Sequence, residues 1–214
     1  IFLQWNNYRI NFIMNYDFIE VGTSDFETHI QNARDETVGL SIEPIQYYLD
    51  RLPNKENVEK LNCAVSFDGK PGRDKVYYIP HETIIRQGIP HWIRGCNSMG
   101  DYHYQHKVRN LQEFVETIEV DVIPLRDIFE HHNVEQLKTL KLDTEGGDSY
   151  ILQSFIPFLK DRLKENYPQT IEFETNILTP AEVVNETIEL YVELGYRVAQ
   201  RGVGEQNTIL AIDI

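Results

Sequence analysis

The run Phe18-Ile19-Glu20-Val21-Gly22-Thr23-Ser24-Asp25-Phe26-Glu27-Thr28, followed after a helix-length interval by Gly39-Leu40-Ser41-Ile42-Glu43-Pro44-Ile45, narrows the choice of folds more than any other stretch. It reads as an apolar strand, a glycine turn, a helix start and a second strand that ends on a carboxylate. That is the layout of a nucleoside-binding βαβ unit. Gly22 permits the tight turn, and Ser24 or Asp25 is placed to cap the following helix. Glu43 follows Glu20 by 23 positions, close to the ~20-residue interval at which a second-strand carboxylate meets ribose hydroxyls. Phe26 stands where a dinucleotide fingerprint wants a small residue, which disfavours a pyrophosphate. The acids Glu20, Asp25 and Glu27 favour a cationic ligand, an amine or a sulfonium. The plainer alternative is an ordinary buried βαβ start flanked by solvated acids.

Charge narrows the partners. The chain has 214 residues and a formal net charge of −14. Nucleic-acid affinity is built from Lys and Arg meeting phosphates, so a polyanionic partner is disfavoured, and so is an anionic membrane surface. The apolar runs fall short of the ~18 residues a spanning helix needs. Cys63 and Cys96 stand in unrelated surroundings without metal-ligand spacing, which fits a reduced, cytoplasmic protein and no metal. The chain begins at Ile1, so a removed targeting segment stays open.

In chain order, residues 1–16 read as a partly buried lead-in or lid to a single domain spanning 1–214. Strands are expected at 17–22, 38–42 and 61–65, with helices at 24–34 and 45–52 between them. Residues 67–110 are rich in Gly and Pro, only 75–80 looks strand-like, and the segment reads as the variable part that shapes a substrate site. His81, His91, His103 and His106 fall in it and read as solvated loop histidines. A strand is expected at 115–125 and a short helix at 126–134. Then comes Thr139-Leu140-Lys141-Leu142-Asp143-Thr144-Glu145-Gly146-Gly147-Asp148, a strand ending in acids and glycines, followed by an amphipathic helix at 149–160. Asp143 and Glu145 at that strand end should face the crevice of Gly22 and Glu43. Thr170 to Thr175 is a further strand, Thr179-Pro180-Ala181-Glu182 a capping-box start, and Gly195 a helix end. Strands at 196–200 and 208–212 close the chain as a hairpin, which makes the last strand antiparallel.

Four motifs in this order resemble the FkbM family of S-adenosylmethionine-dependent methyltransferases. They are Glu20-Val21-Gly22, Glu43-Pro44, Asn62-Cys63-Ala64-Val65-Ser66, and Lys141-Leu142-Asp143-Thr144-Glu145-Gly146-Gly147-Asp148, with Ile151-Leu152-Gln153-Ser154-Phe155 continuing the last. The family often has Asp-Val-Gly-Ala-Asn-x-Gly at the first motif; this chain has Glu20 for the aspartate, Ser24 for the asparagine and Phe26 for the second glycine. The resemblance implies an α/β, Rossmann-like class I methyltransferase fold, a mostly parallel seven-stranded sheet with an antiparallel C-terminal strand. It implies S-adenosyl-L-methionine as cofactor and a hydroxyl acceptor on a sugar, glycan or other small molecule. Carried over, cofactor contacts fall on Glu20, Gly22, Thr23, Ser24, Asp25, Glu43, Pro44, Asn62, Cys63, Ala64, Ser98 and Asp143. Asp143 is expected nearest the transferring methyl and Glu145 beside it, both as catalytic groups. Two other readings stand: a divalent-metal hydrolase using Asp143, Glu145 and Glu174, whose Asp-x-Glu spacing puts two carboxylates on one strand face, and a non-catalytic protein that keeps the pocket.

Overall fold

The structure, a computed structural model, describes residues 14–25, 28–202 and 207–213. The chain runs β1 (Met14–Val21), α1 (His29–Asn32), β2 (Gly39–Ile42), α2 (Gln46–Arg51), β3 (Val58–Leu61), β4 (Ala64–Val65), β5 (Gly72–Tyr78), α3 (His81–Gln87), β6 (Ser98–Met99), α4 (Tyr104–Val108), β7 (Glu116–Ile123), α5 (Leu125–His131), β8 (Val134–Leu142), α6 (Asp148–Lys160), β9 (Thr170–Phe173), α7 (Ala181–Glu193), β10 (Arg197–Gln200) and β11 (Thr208–Ala211). A 3-10 turn, His91–Gly95, precedes β6.

Seven strands form one sheet in the order β10-β11-β9-β8-β1-β2-β3. The pairings β9–β8, β8–β1, β1–β2 and β2–β3 are parallel, whereas β11 is antiparallel to both β9 and β10. A strand inside a parallel sheet is covered on both faces, so it reads as a continuous apolar run. Ile19, Leu40, Ile42, Leu140, Leu142, Ile171 and Phe173 accordingly have no exposed surface. Each such side chain contributes about 1.5–3 kcal/mol relative to exposure. Helix α6 lays Ile151, Leu152, Phe155 and Leu159 against this sheet core. Helix α7 packs beside it, and the Tyr191 hydroxyl donates to the Leu152 carbonyl at 3.1 Å. Gly195, at φ +100°, lets the chain leave α7 and turn into β10. The expected mostly parallel sheet with an antiparallel C-terminal strand is thus present.

Several expectations need correction. The helix foreseen at 24–34 is a single turn at His29–Asn32, whose N-cap is Thr28, so neither Ser24 nor Asp25 caps it. The strand foreseen at 61–65 is two: β3 stays in the main sheet, the chain bends at Asn62-Cys63, and Ala64–Val65 joins a second sheet. That sheet has the order β4-β7-β5-β6, with β5 and β6 drawn from the segment read as a loose insertion and β4 and β7 flanking it. Strand β8 begins at Val134, five residues ahead of the expected Thr139, because Val134 and Leu137 bury on the core side. The capping box at Thr179 does not form: Pro180 is the N-cap, and the Thr179 hydroxyl donates to the Gly146 carbonyl. Of the lead-in only residues 14–16 are described, and they belong to β1; residues 1–13, Phe26, Glu27 and most of the last hairpin's loop lie outside the described residues. Among the described residues no helix is long and apolar enough to cross a membrane.

Candidate active site

The carboxyl ends of β1, β2 and β8 meet at Gly22. Its amide donates to the Ile42 carbonyl at 2.9 Å, and the Asp143 amide donates to the Val21 carbonyl at 3.0 Å. Gly22 has φ +79°, and a Cβ there would lie 1.9 Å from the Asp143 carbonyl oxygen. Only glycine permits both that dihedral and that approach. Next to it Ser24 also takes a left-handed backbone, φ +44°, and its amide donates to Glu43 Oε2 at 2.8 Å. The Ile45 amide donates to Glu43 Oε1 at 2.9 Å, so one buried carboxylate gathers the turn after β1 and the start of α2.

These residues border a crevice with about 530 Å³ of empty space, lined by Val21, Gly22, Ser24, Glu43, Pro44, Cys63, Ala64, Val65, Phe67, Val76, Gly95, Asn97, Ser98, Met99, Asp143, Thr144 and Glu145. The lining combines the apolar side chains of Cys63, Ala64, Val65, Phe67, Val76 and Met99 with the carboxyl groups of Glu43, Asp143 and Glu145. Ser24 Oγ and Asn97 Oδ1 are buried without a hydrogen-bond partner. An apolar lining beside carboxyl groups and two orphaned polar atoms fits a polar ligand with an aromatic base and a positive charge.

Burial governs the acids. It pushes Glu43 up to about 7, opposed by the amides of Ile45 and Ser24 and assisted by Asp143. Asp143 is likewise raised to about 7 by burial, then by Asp148 and Glu145. Glu145 goes to about 8 through burial and Asp148, and Glu174 to about 8 through burial and the neighbouring carboxylates. A bound cation would relieve this crowding by favouring the ionised forms.

Of the residues expected at the cofactor, Gly22, Ser24, Glu43, Pro44, Cys63, Ala64, Ser98 and Asp143 line the crevice, and Glu145 joins them. Glu20, Thr23, Asp25 and Asn62 are not in its lining. Glu20 is buried beneath the turn, where Lys141 Nζ donates to Oε1 and the His29 amide to Oε2, both at 2.9 Å. Asp25 accepts from Arg51 Nε at 2.6 Å and Arg94 Nε at 2.8 Å. Asn62 donates to the carbonyls of Glu43 and Pro44. Of the acids expected to draw a cation at the first turn, Glu20 and Asp25 are therefore matched by protein cations and Glu27 lies outside the described residues; Glu43, Asp143 and Glu145 line the crevice instead.

A second, wider crevice adjoins the first through Gly95 and Glu145, which line both. It is bordered by Trp92, Cys96, His103, Tyr104, Glu174, Asn176, Ile177, Pro180, Asn185 and Arg201 among others. His103 and His106 are buried, which overturns the reading of both as solvated loop residues. His103 Nε2 lies 3.0 Å from Glu145 Oε2. Spacing at i and i+3 along α4 is the signal that would have placed the two rings on one side.

The hydrolase geometry is not formed. Asp143 lies beyond the end of β8, and Glu145 has φ +55°, so the two do not share a strand face. Among the described residues the cluster with ligand atoms within 4.8 Å of one another is Cys96, His103 and Glu145.

The family model for the methyltransferase FkbM domain matches residues 15–198. The chain belongs to that family and is a methyltransferase. No curated protein and no solved structure matches the chain.

Proposed function

We propose that the protein is an S-adenosylmethionine-dependent O-methyltransferase of the Rossmann-like class I arrangement, acting on a hydroxyl of a sugar, glycan or other small molecule. The observation that carries this reading is the convergence of Gly22, Glu43 and Asp143 in one crevice at the carboxyl edge of a parallel sheet. Ligands of open α/β sheets bind at that edge. The antiparallel β11 between β9 and β10 supports the class I arrangement. Glu43 would accept the ribose hydroxyls, the Gly22 turn would pass beneath the methionine portion, and Ala64 with Phe67 would flank the base. When bound, the cofactor supplies an electrophilic methyl on a sulfonium.

The rest is the work of this chain. Methyl transfer to an alcohol needs the oxygen held in line and its proton removed. The second crevice gives the acceptor its approach, and Glu145, shared by both crevices, takes the hydroxyl proton. Asp143 sets the negative field on the cofactor side. The net charge of −14 supports a small acceptor rather than a nucleic acid or an anionic membrane, and two buried free thiols support a cytoplasmic location.

Thermal shift with S-adenosylhomocysteine tests the reading. Binding to the native state alone raises the midpoint, and a flat response up to millimolar ligand would refute it. Asp143→Asn should keep that shift while losing turnover across a panel of hydroxyl acceptors.

A further inference from the structure

We infer that His103 is a positioning residue: its Nε2–H donates to Glu145 Oε2 and holds that carboxyl group, the proton acceptor of the proposed reaction, at the seam between the two crevices. The inference rests on the methyltransferase reading for the role of Glu145, but the contact itself rests on geometry.

His103 is the N-cap of α4, and its Nδ1 accepts from the Gln105 amide at 3.1 Å. A ring nitrogen that accepts carries no proton, so the neutral ring keeps its single proton on Nε2. That nitrogen is 3.0 Å from Glu145 Oε2. Burial brings His103 down to about 4, so the ring is uncharged at neutral pH and the contact is a hydrogen bond from a neutral donor rather than an ion pair. Glu145 needs the donor. Burial and Asp148 push it toward its protonated form, and Asp143, Glu174 and the Cys96 thiol also face it from just beyond the ends of β8, β9 and the 3-10 turn. A hydrogen bond to the charged form works against that push. Glu145 also sits in a left-handed backbone uncommon for a residue with a side chain, so its orientation is held from outside. His106 packs edge-on against His103 at 5.7 Å and fixes the ring plane.

The same contacts argue against a metal on Cys96, His103 and Glu145. A metal on Nε2 would force the proton onto Nδ1, against the Gln105 amide.

Nitrogen NMR of the His103 ring in the wild-type protein reads the tautomer directly. We expect a protonated Nε2 and a bare Nδ1 near neutral pH; the opposite tautomer overturns the proposal, as does one equivalent of tightly bound zinc after dialysis against zinc chloride. Carbon-detected titration of the Glu145 carboxyl is the second readout. His103→Leu should raise its midpoint by about one unit, whereas His103→Gln, which keeps a donor, should leave it within a few tenths. Equal midpoints in wild type and His103→Leu overturn the proposal. Should His103→Leu not fold, the wild-type tautomer and the His103→Gln midpoint decide alone, and a shift of about a unit in His103→Gln counts against it. S-adenosylhomocysteine binding by the wild type is scored separately, so its absence defeats the methyltransferase reading and leaves the tautomer result standing.

Discussion

Glu43 and Ser24, 19 residues apart in the chain, are joined by a buried hydrogen bond in which the Ser24 amide donates to Glu43 Oε2 at 2.8 Å. The carboxylate at the end of β2 thus holds the turn at the end of β1 in shape before any ligand arrives. Its two roles separate experimentally. Glu43→Ala removes two backbone partners, and hydrogen bonds to a charged group are worth about 1.5–3 kcal/mol each. We expect a lower midpoint without ligand and a loss of roughly 10–100-fold in S-adenosylhomocysteine affinity by calorimetry. Glu43→Gln should recover part of the stability, since its amide oxygen still accepts, but less of the affinity.

Gly22 has the least freedom of any residue at the site. A methyl group there meets the Asp143 carbonyl at 1.9 Å in a backbone that disfavours side chains. Gly22→Ala should cost about 3 kcal/mol or more, which for a chain of this size lowers the unfolding midpoint by roughly 6–12 °C. Differential scanning calorimetry measures this. An unchanged midpoint would mean that the end of β1 and the start of the Asp143 loop are not in contact.

Asp25 ties the turn after β1 to the 3-10 turn ahead of β6 through Arg94, with Arg51 on its other side. Burial works against ionisation of Asp25, but the two guanidinium groups outweigh it and hold the carboxyl below its usual range. Arg94→Ala should therefore speed amide hydrogen exchange in residues 92–99 and weaken ligand binding through Asn97 and Ser98, which line the crevice. The coupling between Asp25→Ala and Arg94→Ala should be about 0.5–3 kcal/mol in a double-mutant cycle. Additive effects would show that the contact does not join the two segments.

Stability without ligand should fall as pH rises from about 6.5 to 9. Glu43 and Asp143 titrate near 7 in the fold, and Glu145 and Glu174 near 8, all above their ordinary values. The folded chain therefore holds more protons than the unfolded chain, and the advantage, complete below the ordinary carboxylate range, disappears as pH passes the folded values. His103 and His106, lowered to about 4, act in the opposite sense between about 4 and 6.5, where the unfolded chain takes up their protons. Above 6.5 the acids dominate, joined toward pH 9 by the Cys63 and Cys96 thiols, which burial raises and which act in the same sense, at about 1.4 kcal/mol per pH unit for each group in transition. A thermal-unfolding series from pH 6.5 to 9 checks the slope, and a midpoint that rises over this range contradicts it.

The parallel sheet was legible because its strands are buried on both faces and its turns carry glycine and acids in sequence. The second sheet was not, because β5 exposes Gly72, Arg73, Asp74 and Lys75, and only Val76 is buried. Its pairing with β7 joins residues about 40 to 50 positions apart, a distance no local pattern reports. The site was legible where motif and strand end coincide, at Gly22, Glu43 and Asp143. Asp25 was misread because its partners, 26 and 69 residues away, are visible only in space. His103 was missed because burial, which no isolated histidine announces, made it a donor to Glu145.

The bend at Asn62-Cys63 has a consequence for how such chains diversify. Ala64 and Val65 pair in parallel with Val122 and Ile123, so the second sheet's first and last strands lie side by side. Everything between them leaves and returns through one narrow doorway, like a cartridge seated on a fixed socket. Chimeras that exchange residues 66–121 between relatives should keep the main sheet intact while changing which acceptor is methylated.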